Sequence, residues 1–346
     1  LDAVSGPYTA RVFQSETFSS GLQLDDYWLL IDRTDNPLVI EVDGSAVDDT
    51  ECMIEGEVVG SSDQGLDLTV FGIRQVRGTV SGSSFSVPHE PTPSPAGLYV
   101  FETEGTLPAT RFNAFGQSRV QIGTLGSGCG ASSACVALSP VAETRVTGSI
   151  TRSAEFATAN LVVALSMNFP DASPSFFGPE LTEDRYDRVA PAVSGAEKVI
   201  RVFADSDPLE VDPVVVFGPS ARATYRANDW PSSPVDLELG SPVSVLAPAD
   251  GATVTLDQIF DWEVSSDADR YELSATCRVE EAGETRRLVN IRRIETNTPG
   301  ATLPDFPDSP LEDGAVCVWQ VGVREFDGAI ERLTFSADRV ATVSVP

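Results

Sequence analysis

Five cysteines, a single histidine and a large excess of carboxylates are the residues of this 346-residue chain whose types could do chemistry. Cys129 and Cys135 bracket the small-residue stretch 130–134, a spacing that closes readily into a short disulfide loop. Cys277 and Cys317 lie in two strand-like runs, 271–279 and 316–323, whose alternation turns both thiols to the core side if the runs pair. Two such bridges imply an oxidising compartment and leave Cys52 over as a buried thiol. A zinc site would need CxxC pairs or neighbouring histidines, and His89 is the only imidazole. A Ser-His-Asp hydrolase would have to use that same His89, which stands in the proline-rich stretch 88–95. The GxSxG elbow, the phosphate-binding loop, HExxH and the dinucleotide glycine fingerprint are absent from the sequence. The chain therefore reads as non-catalytic, with no catalytic residue to nominate. A secreted hydrolase working with two carboxylates is the remaining enzymatic alternative, because that chemistry needs no motif.

Calcium is a better use of the acids, since its hard oxygen ligands come from loops. Asp205, Asp207, Glu210 and Asp212 form one candidate loop, and Asp305, Asp308, Glu312 and Asp313 a second. Calcium is accordingly the one cofactor the sequence suggests. Aromatic side chains offer a glycan-stacking platform, for which Trp230 is the candidate ligand-binding residue, with Tyr27 and Trp28 behind it. Trp262 and Trp319 fall in core-like runs.

The elements that must position these residues are strands. Residues 27–31 and 37–42 flank the turn-rich stretch 32–36 as a hairpin would. Residues 66–71 alternate apolar and polar side chains in the manner of a half-buried strand. Further strands are expected at 54–59, 76–87, 98–103, 111–115, 118–122, 144–150, 160–169, 198–203 and 214–217. The prolines of 88–95 predict an extended loop without ladder pairing. Residues 181–188, preceded by Pro179, are the best helix candidate. Residues 228–234 read as a loop, and Gly240, Ser241 and Pro242 as a domain boundary.

With 52 acidic and 23 basic residues the formal net charge is −29. Nucleic acid and anionic membrane surfaces are thereby disfavoured as partners, because both require a basic face. Lys198 is the only lysine, and a carboxylate-rich surface of this kind suits a salt-rich habitat in which ions screen self-repulsion. No run of about twenty apolar residues is present, so no helix is expected to span a membrane. The chain opens on Leu1 rather than Met, as a processed and exported form would, which predicts an extracellular or cell-surface location.

From residue 241 onward the chain resembles a bacterial fibronectin type III domain. The opening 247–254 resembles the proline-led first strand of that family, Phe260-Asp261-Trp262-Glu263 its core tryptophan strand, and 268–273 the next strand with its inward Tyr271. Residues 311–323, with Trp319 and Val321, resemble its late W-x-V strand. Val316 and Cys317 stand where many members carry the tyrosine of the tyrosine corner. The resemblance implies a spacer or binding module. The reading is thus all-β, with multidomain antiparallel β-sandwiches: a β-rich region 1–240, divisible near 88–97, and a fibronectin-like domain 241–346. Its expected role is structural, as a filament or envelope-complex subunit acting through protein partners or self-association, with an adhesin or glycan-binding protein as the alternative.

Overall fold

The computed structural model describes residues 8–17, 23–33, 52–61, 67–72, 78–89, 96–105, 111–120, 132–170, 172–205, 208–211, 214–255, 257–281, 284–302 and 311–344. The strands come first as β1 (Tyr8–Thr17), β2 (Gln23–Arg33), β3 (Cys52–Val59), β4 (Asp67–Phe71), β5 (Thr79–Ser81), β6 (Ser84–His89), β7 (Ala96–Glu104), β8 (Arg111–Val120), β9 (Ser132–Ala137) and β10 (Ser139–Pro140). There follow β11 (Glu143–Arg152), β12 (Asn160–Asn168), β13 (Ser175–Glu180), β14 (Arg185–Pro191), β15 (Glu197–Asp205), β16 (Pro208–Val211), β17 (Val214–Phe217), β18 (Ser220–Ala227) and β19 (Leu237–Leu239). The last are β20 (Val245–Ala247), β21 (Ala252–Val254), β22 (Ile259–Trp262), β23 (Arg270–Glu281), β24 (Glu284–Thr296), β25 (Ala301–Thr302), β26 (Val316–Asp327), β27 (Ile330–Phe335) and β28 (Arg339–Val343). The protein is all-β, and most pairings are antiparallel. The pairs β2 with β24, β3 with β9, β11 with β19 and β21 with β28 are parallel.

One large sheet organises the molecule in the order β1-β2-β24-β23-β26-β27-β18-β15-β12-β13, with β28 on β26 and β21 on β28. Against one face of it pack two separate apolar cores. The first gathers Ile200, Val202 and Ala204 from β15, Ala221 and Ala223 from β18, and Val146, Tyr186 and Leu237 from the sheet β14-β11-β19. The second lies under β23 and β26, where Leu273, Cys277, Trp319 and Val321 meet Phe260 and Trp262 of the small sheet β20-β22-β25. Period-two alternation produces both, because every second side chain of a strand points to the same face.

The sheet β10-β8-β7-β4 is covered on both sides, which explains why its central strand is an unbroken apolar run. Tyr99 and Phe101 point into the first core, whereas Leu98 and Val100 join a third core with Ile54, Phe85 and Val136 of the sheet β5-β6-β3-β9. A bulge opposite Glu102 and Thr103 changes the parity of β8, so that both Phe112 and Phe115 reach the first core while Ala114 faces the third. Phe71, Phe101, Phe112 and Phe176 meet there edge to face.

Three expectations change. Residues 185–191 form strand β14, not a helix, since Tyr186 and Ala190 alternate inward while the backbone pairs with β11 from Glu143 to Ser149. Pro88 and His89 are not loop: they finish β6 opposite Met53 and Cys52. The stretch 76–87 is divided by a turn at Gly82, whose φ of 62° suits glycine. The predicted strand 37–42 lies outside the described residues. At the expected boundary, the apolar cores separate, with Leu239 in the first and Val243 against the second. The large sheet nevertheless crosses it, because β24 pairs with β2 and β27 pairs with β18.

Candidate interaction surface

Two surfaces stand out, one on the outer face of the large sheet and one on the outer side of the small sheet β20-β22-β25. The first is the outer face of the large sheet. Directly paired residues of neighbouring strands point to the same side of a sheet. Phe203, Arg222, Leu333, Arg324 and Arg270 are paired in sequence across β15, β18, β27, β26 and β23, so they form one cross-strand row. The next row holds Arg201, Thr224, Glu331 and Phe326. Both rows face away from the two cores, since Val321 and Val323 of β26 and Ala221 and Ala223 of β18 have the opposite parity.

Glu331 is the hub of this face. Its carboxylate lies 3.4 Å from Arg324, 3.8 Å from Arg222 and 4.0 Å from Arg226. Arg324 also holds Glu272 at 3.0 Å, and Arg226 holds Glu197 at 3.1 Å. Arg201 is placed diagonally between Arg222 and Arg226, its partner in register being Thr224. Among the described residues its guanidinium makes no ion pair or hydrogen bond. Burial first, and then the like charges of Arg226 and Arg222, lower its pKa below the usual arginine value. Glu331 and Glu197 oppose this by raising it, so Arg201 lies in the field of carboxylates as well as arginines.

The second surface is the outer side of the small sheet. On β22, Phe260 and Trp262 point into the core, which turns Ile259, Asp261 and the following Glu263 outward. Ile259 is 57% exposed, Leu246 on the neighbouring β20 is 56% exposed, and Val264 is 75% exposed. Asp257 and Glu263 are exposed carboxylates beside them. Leu246 and Ile259 are exposed apolar side chains on the outer side of the small sheet, with Val264 exposed in the stretch after β22.

The residues singled out in the sequence are placed differently. Cys277 and Cys317 are directly paired on β23 and β26 and form a disulfide, as expected. The Cys129–Cys135 bridge is corrected: Cys135 is a free, exposed thiol. It sits within the extended strand β9, in register with Glu57 of β3, so the chain does not curl there into a tight loop. Cys129 lies outside the described residues. Trp230 is corrected as well. Its ring is only 8% exposed, belongs to the first core, and donates Nε1–H to the carbonyl of Pro191 at 2.8 Å, so it presents no face to a glycan. The side chains of Tyr27 and Trp28 are outside the described set.

Of the calcium candidates, Asp205 ends β15 as an exposed residue whose pKa is raised by desolvation. Glu210 is on β16, with its side chain undescribed, and Asp207 and Asp212 lie outside the described residues, as do Asp305 and Asp308. Among the described residues no group of three or more His, Cys, Asp or Glu side chains could hold a metal ion. Carboxyl groups raised by burial occur on separate elements, at Asp205 on β15, Glu325 on β26 and Asp338 before β28. Among the described residues no helix is long and apolar enough to cross a membrane. The chain matches no protein family, and no curated protein is significantly similar to it.

The arginine face could not be read from sequence, because its members come from five strands that become neighbours only in the sheet. Ile259 left a signal, since it alternates with the inward Phe260 and Trp262 of β22.

Proposed function

We propose that this chain is a non-catalytic structural or assembly protein of the cell exterior, a subunit of a filament or envelope complex that works through protein contacts. The carrying observation is the exposure of large apolar side chains on the C-terminal sandwich, Leu246 and Ile259 on the small sheet and Val264 just after β22, with exposed Asp257 and Glu263 in the same stretch. Burying such side chains against a partner gains roughly 25 cal/mol per Å² of apolar surface, whereas leaving them in water gains nothing. The Cys277–Cys317 bridge supports an oxidising compartment and so export. Stacking against the second core, Phe260, Trp262 and Trp319 support a fibronectin-like reading of the C-terminal sandwich. The glycan alternative loses its nominated aromatic, since Trp230 is buried.

The test is the assembly state of native material, measured by light scattering after size exclusion and by chemical cross-linking. Oligomers or a fixed stoichiometric complex are expected. A chain that stays monomeric and cross-links to no partner would sink the reading.

A further inference from the structure

We infer that copies of this chain join by exchanging their first hairpin, β1–β2 of one copy seating on strand β24 of another in place of that copy's own. The inference rests on the proposed role in assembly and names a second copy as the partner. The contact itself is seen within one chain. Strand β2 pairs in parallel with β24, from Gln23 opposite Arg287 to Leu30 opposite Glu295, and β1 forms the edge of the sheet beyond it. A charge pair marks the register. Asp25 is fully buried and ion-paired with Arg287, Gln23 donates to the same carboxylate at 3.0 Å, and Arg287 also lies 3.9 Å from Glu312. A carboxylate buried this deeply is tolerated only with its guanidinium in place, so the hairpin is matched to β24 and not to an arbitrary sheet edge.

Three features make this seat exchangeable. Among the described residues β1 and β2 pair only with each other and with β24, so a single ladder along one edge holds the hairpin. Its covalent connection leads elsewhere, to β3 in the sheet β5-β6-β3-β9, through the eighteen residues 34–51. A chain of that length reaches roughly 60 Å when extended, far enough to deliver the hairpin to a neighbouring copy. Asp25 and Arg287 are separated by 262 positions, so hairpin and acceptor meet only after nearly the whole chain has been made. Until they meet, β24 presents a row of unpaired backbone groups on which any matching strand can pair.

The exchanged contact has the same backbone bonds and the same ion pair as the closed one, so concentration decides between them. The tether supplies its own β24 with a hairpin at an effective concentration on the order of 1 mM, and copies crowded to that level compete with it. Donor and acceptor are different parts of the chain. Each copy that gives its hairpin away leaves its own β24 open for another, and the contact is passed on from copy to copy.

The test mixes two full-length variants, Leu24→Cys and Leu288→Cys, whose positions are directly paired across β2 and β24. They are unfolded in urea with the Cys277–Cys317 bridge intact, refolded together at rising protein concentration, oxidised, and their linked peptides identified by mass spectrometry. The double variant Leu24→Cys, Leu288→Cys, refolded dilute, should form the 24–288 link within one chain. The mixture should form that link between chains, in a proportion that climbs several-fold from micromolar to millimolar protein. A second arm needs no new thiol. Asp25→Lys and Arg287→Glu each break the ion pair within their own chain, but the two chains restore it for one another. Each alone should sediment as monomer, and their equimolar mixture as a 1:1 complex. A double variant that links internally beside a mixture that never links between chains would overturn the inference. So would a charge-reversed mixture that stays monomeric, and that arm decides alone if the double variant forms no internal link. Cross-linking of native material then decides the broader reading: a different partner preserves it, and none removes it.

Discussion

Trp230 and Lys198 show how one side chain's role depends on what packs over it. Trp230 fills part of the first core and satisfies its indole N–H on the Pro191 carbonyl, so Trp230→Ala should leave a cavity rather than remove a ligand site. A loss of about 3–5 kcal/mol in unfolding free energy is expected, read from the denaturant midpoint. Lys198 is 1% exposed and donates Nζ–H to the Ala196 carbonyl at 2.6 Å. Desolvation pulls its pKa below the ordinary 10.5, with Asp229 opposing. Between the lowered value and 10.5 the unfolded chain holds a proton that the folded chain has released, so this group makes stability rise with pH across that window. Lys198→Met should remove that rise, and chemical denaturation of both proteins at several alkaline pH values would show it as a difference in slope. Parallel slopes would disprove the assignment.

At the scale of elements, pairing decided what local propensity left open. The polar stretch 181–188 has a helix-like composition, but β11 supplies a register that places Tyr186 in the core, with its hydroxyl donating to the Val235 carbonyl at 2.6 Å. Gly148 permits that approach, since a Cβ there would lie 2.5 Å from the Tyr186 oxygen. Strands β23 and β26 carry the disulfide at a directly paired position, closing a loop of sequence separation 40. By loop-closure entropy it contributes ~4 kcal/mol, so the double variant Cys277→Ala, Cys317→Ala should melt well below wild type in calorimetry. Equal melting temperatures would mean that the pairing of β23 with β24 and β26 holds the sandwich without it.

On the whole molecule, a net charge of −29 sets the response to salt. Raising ionic strength to about 1 M shortens the screening length to ~3 Å and relieves repulsion among the surface carboxylates. The melting temperature should therefore climb with sodium chloride, most steeply at the low end. A flat or falling profile would show that the ion pairs around Glu331, which salt weakens, outweigh that repulsion. The large sheet extends across the boundary near Gly240 while the apolar cores divide there. Two separately packed cores thus share one hydrogen-bonded scaffold.

Alternating apolar residues and turn formers were enough to determine an all-β chain and the positions of most strands, because those depend on neighbours along the chain, whereas the shared parity of Cys277 and Cys317 made their bridge legible only given that their strands pair. Which strands lie side by side was decided only in three dimensions. A strand offers two edges and no local residue names the partner, so the joining of β2 to β24 and of β18 to β27 left no mark in the sequence. The same reason hid the arginine row, free Cys135 and the burial of Trp230: each is a relation between segments far apart in the chain.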